Sequence, residues 1–90
     1  MAFPRTLALA LAVLTSSSLA SAGEDVAFDT LPAPVKATVQ REVKTGQILE
    51  IERDTKKGAP VFEVEFSDPN GVKWELDIAP DGTLLSRRED

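Results

Sequence analysis

Carboxylates recur at alternate positions in three short stretches of this 90-residue chain: Glu50 and Glu52, Glu63 and Glu65, Glu75 and Asp77. Three chemistries use acids in such patterns. A pair facing each other across a cleft can cleave glycosidic bonds when one member has a raised pKa. A convergent set of carboxylate oxygens can hold a hard divalent cation. A solvated acidic row can steer and orient a basic protein surface. The bland alternative is a charged strand face that suppresses aggregation and binds nothing.

The neighbouring residues weigh these readings. Each acid alternates with an apolar side chain, as in Leu49 and Ile51, Phe62, Val64 and Phe66, and Trp74, Leu76 and Ile78. Period-two alternation puts the apolar set on one face of a strand and the acids on the other, where no cleft is expected and hydrated carboxylates stay ionised. The chain has neither His nor Cys. That leaves it without the commonest general base, the strongest nucleophile and most zinc ligands. Ser67 and Ser86 have no base beside them in sequence, and no Gly-rich phosphate loop is present. No catalytic, cofactor or dedicated metal site is therefore expected. Asp68 with Asn70, and Asp77 with Asp81, have loop-like spacing, but Val72 interrupts the oxygen ladder that a calcium loop needs, and turn chemistry explains both. The face formed by Glu50, Glu52, Glu63, Glu65, Lys73, Glu75 and Asp77 is the candidate partner-binding surface.

Few elements are needed to position that face. Leu31, Val35, Val39 and Val43 recur every four residues and predict an amphipathic helix of about three turns. Pro32 and Pro34 fit only near its start, Asp29 or Thr30 is the expected cap, and Gly46 the expected stop. Gly58, the Asp68 to Gly71 stretch and the Asp81 to Gly82 step separate the alternating runs with turn residues. Residues 83–86 read as a short last strand and 87–90 as a charged tail. The expected fold class is α+β: one amphipathic helix packed on a three- to four-stranded antiparallel β-meander, preceded by a cleavable signal peptide. The expected core is Leu31, Val35, Val39, Val43, Leu49, Ile51, Phe62, Val64, Phe66, Trp74, Leu76, Ile78 and Leu84, with Trp74 as an anchor.

Residues 1–22 carry the signal: Arg5, an apolar run over 7–14, then small polar residues ending in Ala20, Ser21 and Ala22. Cleavage is expected after Ala22, or alternatively after Ala20, with no stable membrane anchor left behind. Residues 23–30 read as a flexible acidic leader, and 31–88 as the domain. Removing Arg5 from ten basic residues leaves nine against fifteen acidic ones, a net charge of −6. Such a balance opposes binding to nucleic acid or anionic lipid.

Leu31 and Pro32 opening a helix, the stretch from Ile48 to Arg53, Phe62 to Val64, Trp74 to Ile78, and the closing Asp77, Asp81, Gly82, Leu84 and Leu85 together resemble the PepSY and PepSY-like families. The similarity runs from about Leu31 to Arg88. The resemblance implies an exported bacterial domain of one helix on an antiparallel sheet, periplasmic or secreted. It also implies kinship with propeptide modules of thermolysin-like metallopeptidases, which are associated with inhibition, and with a β-lactamase inhibitor protein in fold. Phe62 stands where such domains often carry Tyr, and the chain carries no peptidase domain, so inhibition is expected only in trans. The function expected is a non-catalytic module that binds a protein partner such as an envelope peptidase. The alternative is a divalent-cation-responsive envelope protein using the same acids.

Overall fold

The computed structural model describes residues 23–90. The expected signal segment and both cleavage positions, Ala20 and Ala22, lie outside the described residues. The chain is α+β, with one helix packed on a five-stranded antiparallel sheet. Strands β1 (Glu24–Asp25), β2 (Gln47–Lys56), β3 (Ala59–Ser67), β4 (Lys73–Ile78) and β5 (Leu84–Glu89) lie side by side in chain order. The short connections between β2 and β5 permit only antiparallel neighbours, as observed.

The sheet is one strand wider than expected because the leader joins the fold. Glu24 pairs with Arg53 and Asp25 with Glu52. A 3₁₀ turn, Phe28–Thr30, then brings the chain to helix α1 (Ala33–Val43), and Val26 and Phe28 pack against the core. Neither expected cap operates. Pro32 occupies the N-cap position, and the Thr30 hydroxyl instead donates to the Ala27 carbonyl at 2.7 Å, closing the 3₁₀ turn. The helix ends at Val43, and Lys44, two residues before Gly46, is its C-cap with a φ of 54°.

Three valines lower the intrinsic helix propensity of α1, so it is held by what it buries. Val35 and Val39 are fully buried, and Leu31 and Val43 nearly so. They face a layer set by strand register, in which Ile51, Val64 and Leu76 align across β2, β3 and β4, and Phe62 lies opposite Ile78. Each fully buried aliphatic side chain contributes about 1.5–3 kcal/mol.

The expected core needs three corrections. Leu49 is not inside. A bulge between Ile48 and Glu50 makes Leu49 the unpaired extra residue, so Ile48 turns inward in its place and Leu49 is 42% exposed. Trp74 and Leu84 are half-buried and pack at the margin of the core. Val61 is buried on the outer face, opposite in parity to Phe62. Among the described residues, no helix is long and apolar enough to cross a membrane.

One polar contact fastens the helix to the far hairpin. The buried Thr38 hydroxyl donates to the Gly82 carbonyl at 2.5 Å and lies 3.2 Å from the Pro34 carbonyl. Gly82 takes a φ of 94°, and a Cβ there would stand 2.7 Å from the Pro34 carbonyl oxygen, so only glycine lets the β4–β5 turn come this close. We expect Thr38→Val to cost about 1–3 kcal/mol, because it preserves shape while leaving a buried carbonyl unpaired. Urea unfolding should show a lower midpoint with an unchanged slope, and Thr38→Ser should recover most of the loss.

Candidate functional site

The register that buries the apolar face aligns the acids on the other. Glu50, Glu65 and Glu75 lie directly opposite one another across β2, β3 and β4, and Arg88 of β5 ends the row. A second row runs Asp25, Glu52, Glu63, Asp77 and Ser86 across all five strands. All six acids singled out in the sequence share this face. Lys73 shares their parity on β4 and stands opposite Ser67.

Like charges placed opposite each other across strands repel, so the face needs cations. Two supply them, and both were missed as site residues. Lys56 ends β2 as a strand residue, and its ammonium pairs with Glu63 and with Asp77 Oδ2 at 3.1 Å. Arg88, expected in a loose tail, belongs to β5 and bonds Glu75 at 3.0 Å and Asp77 at 3.5 Å. Asp77 is only 7% exposed and receives both cations. The signal for Lys56 was present in its parity, which continues that of Glu50 and Glu52. Arg88 could not be placed without knowing that β5 extends past Ser86.

The cations neutralise only one side of the face. Among the described residues, Asp25, Glu50, Glu52 and Glu65 form no salt bridge. Crowding there changes protonation. A hydrogen bond with the Glu50 carboxylate pushes Glu52 up to about 7, and partial burial and the charges of Glu50, Asp25 and Glu63 act in the same direction. Glu52 is thus the acid of this face that takes up a proton most readily near neutral pH. Glu65 is raised by a hydrogen bond with Asp90 and by burial, and Glu75 by burial and the charge of Glu63.

Two triads converge enough to share a cation. One carboxylate oxygen from each of Asp25, Glu50 and Glu52 lies within 4.8 Å of the other two, and the same holds for Glu63, Glu75 and Asp77. The second triad already holds Lys56 and Arg88, so the first is the more open. A shallow concavity of about 200 Å³ between the rows is walled by Glu50, Glu52, Glu63, Glu65, Glu75 and Asp90. It offers no apolar wall against which a sugar ring could stack.

The turn acids are occupied locally. Asp68 accepts hydrogen bonds from the Asn70 and Val72 amides and, at 3.0 Å, from the Trp74 indole, which hold its carboxyl below the usual range. Asp81 accepts the Thr83 amide at 2.9 Å. Trp74 is covered on its ring face by Arg87, 4.5 Å from the ring centroid, and Arg87 also bonds Glu42 at 2.8 Å. Its polar edge and its stacking face are thus both engaged from within the chain. Comparison with known proteins finds no matching family model, no matching curated protein and no matching solved structure.

Two outcomes follow from these charges. Between the ordinary value of 4.5 and about 7, the folded chain holds a proton at Glu52 that the unfolded chain releases. Stability from this group is therefore present below the lower value and lost as pH rises through the upper one. The melting temperature should fall between pH 5 and pH 8. Glu52→Gln should raise the pH 8 value by about 2–4 °C and flatten the slope, the partly exposed position limiting the size. Lys56→Met should destabilise by about 1–2 kcal/mol in urea unfolding, since Asp77 keeps Arg88 and solvent screens the one-third-exposed lysine.

Proposed function

We propose that the chain is an exported, non-catalytic binding module of PepSY-like type, working in the bacterial periplasm or outside the cell. Its outer sheet face docks a basic surface of an envelope protein. The observation that supports this reading is the pair of in-register acid rows, of which Asp25, Glu50, Glu52 and Glu65 form no salt bridge among the described residues. A fold that tolerates such repulsion gains from a partner that supplies positive charge. The resemblance to propeptide modules makes a thermolysin-like metallopeptidase the first partner to test, with inhibition in trans as the activity to measure.

Capture of a partner from envelope extract should weaken steeply as salt is raised toward 1 M, where the screening length falls to about 3 Å. Replacing Glu50, Glu52 and Glu65 together by Gln should weaken it further, while the melting temperature holds or rises. Capture indifferent to both changes would remove the electrostatic reading.

The convergence of Asp25, Glu50 and Glu52 oxygens supports a second reading, a divalent-cation-responsive protein. Millimolar calcium should then raise the melting temperature, and Glu52→Gln should abolish the rise. A flat calcium titration would leave the protein-docking reading alone.

A further inference from the structure

Strand β1 covers only part of its neighbour. It pairs with Glu52 and Arg53, and the Val26 amide donates to the Ile51 carbonyl at 3.0 Å before the chain turns away into the 3₁₀ turn. Residues Gln47 to Glu50 of β2 therefore have β3 on one side and, among the described residues, no strand on the other. This is also where Leu49 bulges out and stands 42% exposed. On the helix side of the same edge lies an open groove of about 560 Å³, in which the half-buried Phe28 and Ile48 are the accessible apolar side chains and Gln40, Lys44 and Gln47 form the polar rim. On the outer side, Leu49 and Val26 border Asp25, Glu50 and Glu65.

A strand added in line with β1 would send alternate side chains to these two different environments. Its inward residues would meet Phe28 and Ile48 beside Lys44, a setting that favours apolar side chains over further cations. Its outward residues would extend the row of Glu50 and Glu65, neither of which forms a salt bridge among the described residues. The chain's own basic edge is a poor occupant, because Arg88 is held by Glu75 and Asp77, and Arg87 by Glu42 and Trp74. The bulge interrupts the ladder, so only a short stretch can pair.

We propose that the free edge at Gln47 to Glu50 receives a short extended segment of another protein in which apolar residues alternate with lysine or arginine. The proposal rests on the binding-module reading and specifies both the place and the chemistry of contact.

The test uses a blocked five-residue peptide alternating valine and lysine, titrated into isotope-labelled protein while amide shifts and amide exchange are followed. Saturable shifts and slowed exchange are expected at Gln47 to Ile51, Val26 and Phe28. Leu49→Lys, which places a guarding charge on the edge, should weaken binding about tenfold without lowering the melting temperature. Equal binding of a valine–glutamate peptide would overturn the charge argument. Shifts confined to Glu63, Glu75 and Asp77 would overturn the edge site while leaving the acidic-face reading intact. Concentration-dependent self-association removed by Leu49→Lys would make a second copy the occupant and overturn the proposal. Absence of peptide shifts alongside salt-sensitive, acid-dependent capture would overturn the edge alone. Absence of both would overturn the two readings together.

Discussion

Strand register sets the electrostatics of this small domain. Its core is a single layer between one helix and one face of a sheet, so every strand must turn the same parity inward. Ile51, Val64 and Leu76 meet in one row, and Phe62 meets Ile78 in another. The residues between them are then forced into alignment on the opposite face, and in this chain those residues are acids. Glu50, Glu65 and Glu75 cannot be separated without slipping a strand by one position, which would expose the core. The repulsion on the outer face is a cost of the burial on the inner one.

Lys56 and Arg88 answer that constraint at one side of the sheet only. Both reach Asp77, the most buried carboxylate of the face, where an unpaired charge would cost most. Toward β1 the acids are more open to solvent and form no salt bridge among the described residues, and the crowding of Glu50 against Glu52 raises the Glu52 pKa to about 7. The sheet thus has a neutralised side at β4 and β5 and a hungry side at β1 and β2. The Thr38 to Gly82 contact lies on the helix side, away from this gradient, and pins α1 to the β4–β5 turn.

Alternation made much of this arrangement readable in advance. The six acids from Glu50 to Asp77 share a face because a period of two leaves them no choice, and the valine stripe of α1 follows from a spacing of four. The turn roles of Asp68 and Asp81 likewise follow from residue type. What escaped was set by tertiary context. The bulge at Leu49 depends on where Ile48 meets Phe66, a fact of pairing and not of local pattern. Strand β1 is two residues long and has no periodicity to detect. Strand β5 runs through Arg87, Arg88 and Glu89, residues whose polarity reads as a tail until Trp74 and Glu75 are seen opposite them. The helix cap failed for a similar reason: Thr30 had a nearer use in closing the 3₁₀ turn.

Strand β1, the bulge at Leu49 and the length of β5 all lie toward the edges of the sheet, where the constraints differ from those at its centre. A central strand is constrained by neighbours on both sides, so its pattern of side chains must agree with two registers at once. An edge strand answers to one neighbour and can bulge, shorten or carry charge inward without breaking the core. The edge residues are therefore the least dictated by folding, and the freest to be shaped by contact with something else. At β5 the charges are answered internally, with Arg87 stacked on Trp74 and Arg88 bridging two acids, although Leu85 stands 56% exposed. At β2 they are not: Leu49 faces solvent, and among the described residues Gln47 to Glu50 have no strand on their outer side and Glu50 forms no salt bridge. Among the described residues, the β2 edge combines an unpaired stretch of backbone, an exposed leucine and acids without a salt bridge, whereas the arginines of β5 are already engaged.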